Sequence, residues 1–234
     1  MMDDSAVYVG IDIGWSCNPK PQSTGVATIV GDELVDMVSL RTDTEIIEYV
    51  TSHEADYVGI DAPLVVENIS GRRPVEDALA QNGINAFPAN RTWFNDAFGG
   101  VRGESIVKEL ADNGYELATR PNGDRTVIEV YPRPTIEAMI SDVPNYKNDT
   151  KQTIHEGLRT LWDQTTDSIE LNFDEYSDIV PMDPEDVLKS ELKQIGDQID
   201  AFYSALVLKV DWEGENDVEV FGSKDSGSIL TVVP

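Results

Sequence analysis

Several acidic residues in this chain stand where an acid is costly. Asp12 closes the run Tyr8-Val-Gly-Ile-Asp12, and Asp61 closes a near copy, Tyr57-Val-Gly-Ile-Asp61. Aspartate is depleted in strands, and an apolar run strips it of solvation. Glu129 lies inside Val127-Ile-Glu-Val-Tyr131, with apolar residues on both sides. Asp200 precedes the apolar stretch Ala201–Leu208, and Asp197 stands three residues earlier, on the same face of a helix. Each has a plainer explanation: Asp12 and Asp61 could cap turns, Glu129 could alternate toward solvent, and Asp197 could be one more exposed acid. Four or five carboxylates, with no histidine pair at ligand spacing and one cysteine, suit hard cations such as Mg²⁺ or Mn²⁺. Two such ions about 3.5–4 Å apart clamp an in-line displacement at phosphorus. One activates the attacking water and the other stabilises the leaving oxygen. The expected catalytic set is Asp12, Asp61, Glu129 and Asp200, and the expected metal set adds Asp197.

The basic residues are unevenly spread. Between Arg72 and Arg133 eight bases meet nine acids, whereas the rest of the chain carries nine bases and 35 acids. Arginine dominates the near-neutral segment, and its planar fork matches phosphate oxygens. Arg72, Arg73 and Arg91 are therefore expected to face the carboxylates and meet substrate phosphates.

These residues need elements to hold them. Val7–Ile13, Thr24–Val30 and Glu33–Ser39 read as three strands, the last two joined by a Gly31-Asp32 turn. Thr44–His53 has helical spacing, and Tyr57–Pro63 is a fourth short strand. Pro74–Gln81 reads as a short helix with Pro74 near its first position. The stretch around it, about residues 65–103, holds Gly83, Pro88, Asn90, Asn95 and Gly99-Gly100, and reads as an irregular insertion or lid. Helices are expected over Gly103–Asn113, Pro134–Ile140, Thr150–Gln164 and Asp183–Asp211, the last broken near Gly196. Thr126–Tyr131, Val218–Phe221 and Ile229–Val232 complete the strands.

Three strands, a helix, a strand and then alternating helices and strands is the order of an RNase H-like core: an α/β fold with a mixed central sheet flanked by helices. A Rossmann-like sheet shares some of these elements. In the RNase H-like plan the first and fourth strands are parallel neighbours. Asp12 and Asp61 would then leave the same sheet edge, where open α/β sheets place their sites. One domain is expected over residues 1–234.

Composition bounds the function. The 234 residues are 40% hydrophobic, enough for a sizeable core, and no apolar run reaches the ~18–20 residues of a membrane helix. The acidic start Met1-Met-Asp-Asp4 is unlike a secretory leader, and Cys17 has no partner for an internal disulfide; both point to the cytoplasm. The formal charge is −27, spread without blocks of like sign. Such an acidic surface suits molar salt, where the Debye length falls to ~3 Å. It is read as a halophilic adaptation.

The sequence resembles the family catalogued as domain of unknown function 429, described as predicted RNase H-like nucleases. The resemblance rests on Gly10–Trp15 (GIDIGW), Gly59–Leu64 (GIDAPL), Arg72-Arg73 followed by Asp77, Phe87–Asn90 (FPAN), and Glu129–Pro132 (EVYP). It continues through Tyr146-Lys147 before Arg159, Asp197–Leu206 (DQIDAFYSAL) and the closing FGSKDSGSILTVVP. It implies an RNase H-like fold with Asp12, Asp61, Glu129 and Asp200 as the acidic site. Arg72, Arg73, Asn90 and Lys147 lie in its motifs and would bind phosphate or order the lid. The Asp-x-x-Asp of the last helix also resembles RuvC-like resolvases. The expected function is a Mg²⁺- or Mn²⁺-dependent nuclease hydrolysing phosphodiester bonds of DNA or RNA. The alternatives are a nucleotide-binding phosphotransferase of the actin and sugar-kinase type, and a non-catalytic RNase H-like binding protein. Nucleic acid is the expected partner, no membrane is, and the closing β segment could pair across a two-fold to give a homodimer.

Overall fold

Apolar runs build an antiparallel meander: β1 (Val7–Asp12) and β2 (Thr24–Val30), buried almost throughout, and β3 (Glu33–Leu40), more open at the edge. The turn between β2 and β3 rests on Gly31, whose φ of 57° is left-handed backbone that favours glycine. Helix α1 (Asp43–Ser52) starts on Thr42, whose side chain accepts from the Glu45 amide, while Glu45 returns a carboxylate to the Thr42 amide. Strand β4 (Tyr57–Ile60) then lies parallel to β1, Tyr8 beside Tyr57 and Ile11 beside Ile60. The antiparallel start followed by a parallel fourth strand separates an RNase H-like core from a Rossmann-like sheet.

The computed structural model describes residues 5–17, 23–123, 125–214 and 218–233. The acidic start Met1–Asp4 and part of the Gly/Pro/Ser-rich link between β1 and β2 lie outside the described residues.

Beyond β4 come α2 (Pro74–Gln81), α3 (Arg91–Phe98), α4 (Arg102–Asp112), β5 (Glu116–Ala118), β6 (Thr126–Glu129), α5 (Pro132–Met139), α6 (Lys151–Ser168) and α7 (Lys189–Glu213). A short 3-10 turn, Pro184–Asp186, precedes α7, and the hairpin β7 (Val218–Ser223) with β8 (Gly227–Val232) closes the described chain. The main sheet is mixed, ordered β3-β2-β1-β4-β6-β5. Tyr8, Tyr57, Ile128 and Val130 pack on one face under α5, α6 and α7; Val9, Ile11, Val58, Ile60 and Val127 pack on the other under α1 and α4. This is the architecture of an RNase H-like core. Among the described residues no helix is long and apolar enough to cross a membrane.

Some elements differ from expectation. Helix α3 lies inside the stretch expected to be irregular. Its Asn90 and Gly99 read as loop residues, but they are its caps: Asn90 accepts from the Trp93 amide, and Gly99 takes a left-handed φ of 80°. Helix α7 runs unbroken through Gly196, where an added Cβ would meet only the end of Leu158 at 3.6 Å. Strand β5 has three residues, too few for a period. The closing β segment pairs within the chain: β7 with β8, and Leu230 with Val130 beside β6.

Helix α7 decides where the chemistry sits. Its Ala201–Ala205 side lies on the sheet, while Phe202 packs on Trp162 and the Tyr203 hydroxyl bonds that of Thr165, both in α6; each such buried side chain contributes about 1.5–3 kcal/mol. Glycine lets it come close. A Cβ on Gly10 would stand 1.9 Å from the Ala201 carbonyl oxygen, and one on Gly59 would stand 2.6 Å from that of Ser204. The glycines of the two Tyr-Val-Gly-Ile runs are thus the floor on which α7 rests.

Candidate functional site

Because α7 lies on β1 and β4, its Asp200 arrives over their carboxyl ends. Asp12 ends β1, and Asp61 directly follows β4, its amide donating to the Ile11 carbonyl at 2.8 Å. Both point toward α7, as Gly10 and Gly59 do two residues earlier. A fourth segment, the link from α5 to α6, closes over them. Tyr146 donates its hydroxyl to Asp200 Oδ1 at 2.9 Å. The Lys147 ammonium bonds Asp200 Oδ2 and stands 3.8 Å from Asp12 Oδ2. Asp12 and Asp200 therefore meet one lysine, and Asp61 lines the same space and feels its charge.

The charge balance of this group is strained. Burial pushes the Asp12 carboxyl well above its usual range; Lys147 pulls it back, and Asp200, Asp61 and Asp197 push it further. Burial lifts Asp61 to about 7, with Asp200 adding to the rise and Lys147 opposing it. Burial disfavours the Lys147 ammonium, but Asp200 and Asp12 outweigh that and raise its pKa. One cation answers for several acids.

Glu129 neighbours Asp61 but is held differently. It pairs in register with Ile60, so strand alternation turns it to the face opposite Asp61. There Arg73 Nη2 donates to its Oε1 at 2.7 Å, Arg73 Nη1 to its Oε2 at 3.0 Å, and the Leu64 amide to Oε2 at 2.9 Å. Arg73 also donates to Glu76 at 2.8 Å and to the Val65 carbonyl at 3.0 Å. Arg73, Glu76 and Glu129 are 2%, 1% and 4% exposed. Glu129 has Arg73 as its ion-pair partner, yet it borders a small pocket with Asp61 and helps to raise that carboxyl; Arg73 is thereby committed to Glu129 and Glu76, not a free phosphate ligand. Burial raises the Glu129 carboxyl and Arg73 opposes the rise.

The other expected phosphate ligands divide similarly. Asn90 is committed to capping α3 and to the Gly71 carbonyl, 3.1 Å away. Arg91 forks onto Glu104 at 2.7 and 2.8 Å. Arg72 is exposed and donates to the Ala86 carbonyl at 3.1 Å. Lys147 alone of this group meets the aspartates. Asp197 accepts from Lys193 at 2.5 Å one turn before Asp200, and it borders the cleft. Burial raises its carboxyl and Lys193 opposes this.

A cleft opens over the cluster. One part, about 990 Å³, is lined by Asp12, Trp15, Lys147, Lys193 and Asp197; a second, about 550 Å³, by Asp12, Asp61, Phe87, Arg133, Tyr146 and Asp200. Trp15 and Phe87 were not singled out as site residues from the sequence. The signal was present: Trp15 follows Asp12 by three residues, and Phe87 is an aromatic in a polar, proline-containing segment.

As donors, the aspartates suit a hard cation: buried oxygens with too little positive charge near them. Their spacing does not yet close on one. Among the described residues no group of three or more His, Cys, Asp or Glu side chains is arranged to hold a metal ion. Lys147 stands between Asp12 and Asp200, in the place a cation would take.

Fold and site together define an α/β protein with an RNase H-like core and an aspartate cluster at the carboxyl edge of its sheet. The chain belongs to the protein family of unknown function DUF429, whose model matches residues 10–221. No curated protein and no solved structure gave a match.

Proposed function

We propose that the protein is a divalent-metal-dependent nuclease, hydrolysing a phosphodiester bond over Asp12, Asp61 and Asp200. The convergence of these three carboxylates on one space, with a single ammonium between Asp12 and Asp200, supports the reading. Mg²⁺ or Mn²⁺ would supply Lewis acidity and a hydroxide nucleophile at neutral pH. Asp12, Asp61 and Asp200 would hold it once Lys147 swings aside. That side chain is 43% exposed and sits at the cleft, so it has room to leave. Tyr146 fixes the orientation of Asp200 through its hydroxyl. The displaced Lys147 ammonium would then serve a phosphate oxygen of the substrate, neutralising charge as the bond breaks.

The test is a Mn²⁺ titration by calorimetry, alongside a cleavage panel of DNA, RNA, hybrid and branched substrates in molar KCl. Asp12→Asn is expected to lose both the heat of binding and the cleavage while staying folded. Metal binding near pH 6 is expected to release protons, because Asp61 must ionise to ligate. Cleavage that persists in Asp12→Asn, or absence of a Mn²⁺ site in the parent protein, overturns the reading.

A further inference from the structure

The aromatic wall of the cleft has no task in the site described so far. Trp15 is held edge-on by Trp93 and Phe98, its ring centroid 5.5 and 5.8 Å from theirs at 85° and 87°. Helix α3 thus sets the tryptophan three residues beyond Asp12. Phe87 stands against it at 6.2 Å and 86°, with 75% of its surface exposed. A phenylalanine left that open, on a chain of charge −27, is unexplained by packing. Trp15 and Phe87 line the same 550 Å³ space as Asp12, Asp61 and Asp200, and Arg133 and Lys147 supply its cations. That volume is in the range of small-molecule sites, and a base can lie on the exposed Phe87 ring only once it has left its own stack.

We propose that Phe87 is a stacking platform for one unpaired base, with the Trp15 ring at right angles against the base's edge, so that the substrate is single-stranded or splayed nucleic acid. The proposal rests on the nuclease reading for the chemistry but not for the binding. Charge argues the same way. A chain of net charge −27 repels a polyanion, which disfavours backbone tracking by many phosphates. Stacking is the term that survives, because every base has a π-face and molar salt does not screen it. In the 550 Å³ part of the cleft Lys147 and Arg133 are the lining cations, and Arg133 is already paired with Glu137, so binding there releases few counterions and depends weakly on salt.

The test follows tryptophan fluorescence in molar KCl with EDTA, which silences any metal chemistry. The titrants are hexathymidylate and a blunt hairpin duplex. Hexathymidylate is expected to quench, and the duplex to bind at least tenfold more weakly. Phe87→Ala is expected to weaken hexathymidylate binding about tenfold, and Phe87→Trp to restore it. Since Phe87 is exposed, neither change threatens the fold. The platform is overturned if no quenching occurs, if the duplex binds as tightly, or if Phe87→Ala binds like the parent. Each outcome is independent of the Mn²⁺ titration: a metal site without base binding removes the platform alone, and base binding without a metal site removes the nuclease reading alone.

Discussion

Two groups of buried acids lie at the same sheet edge, on opposite faces, and they have opposite characters. On one face Arg73 joins Glu76 and Glu129, and both oxygens of Glu129 have donors. Glu76 is closed as well, accepting from the Ala89 and Arg73 amides at 3.0 Å. On the other face Asp12 and Asp200 meet Lys147, with Asp61 lining the same space, beneath an open cleft. A carboxylate with complete hydrogen bonding and a dedicated counter-ion has little left to offer a ligand. One that is underpaired and reachable keeps both lone pairs and charge. Burial of an acid is therefore a poor marker of a site, and unmet charge beside open space is a better one.

The closed group should give the largest effect. Arg73→Ala leaves Glu129 buried without its cation, and breaking such a pair costs about 3–5 kcal/mol. Urea unfolding at pH 8 checks it. A loss below about 1 kcal/mol would mean that the closed group contributes no more than a surface pair, and the contrast between the faces would be broken.

This contrast was only half legible in the sequence. The repeated Tyr-Val-Gly-Ile-Asp run carried its own evidence, because an aspartate ending an apolar strand marks the strand's carboxyl edge. The apolar stretch after Asp200 likewise required a helix packed on the sheet. Glu129 looked the same by type and flanking residues. What separates it is a one-residue phase: its register partner is Ile60, not Asp61. Phase between strands is a tertiary property, and single-strand patterns do not contain it. Arg73 was hidden for a related reason. Its partner lies 56 residues away, so an arginine before a proline-started helix reads as surface. The caps of α3 were visible but ambiguous, since asparagine and glycine serve loops and helix ends alike.

The open group should respond in the opposite sense, and with pH. Asp61 has a folded value of about 7 against 3.8 for an ordinary aspartate. The folded state therefore holds its proton more tightly than the unfolded chain. The resulting penalty is absent below about pH 4, grows as pH rises, and is complete above about pH 7. Asp61→Asn removes it. The variant is expected to be more stable than the parent at pH 8, and the difference should vanish toward pH 4. Thermal melts across that range, without divalent ions, check the sign. A destabilised variant at pH 8 would place Asp61 with the closed group.

The smallest effect sharpens the border between the two groups. Asp197 and Lys193 form an i,i+4 pair on α7, the carboxylate 8% exposed and the ammonium 70%. Its acid is as hidden as those of the closed group, but its cation is in solvent. If burial of the acid alone governed stability, Lys193→Ala should cost several kcal/mol. If access governs, water and salt replace the lysine at little cost, and the loss should stay below about 1 kcal/mol. We expect the second outcome, with the loss shrinking further in molar KCl as screening increases. Asp197 also pushes up the Asp12 carboxyl. The charges that shift Asp61 are Asp200, Lys147 and Glu129, so Lys193→Ala should leave the pH at which Asp61→Asn gains its advantage unchanged. A double-mutant cycle of Lys193→Ala with Asp61→Asn, followed by melting temperature at pH 6 and pH 8, measures both quantities. A cost for Lys193→Ala close to that of Arg73→Ala would show that exposure of the cation is not what distinguishes the two faces of the sheet.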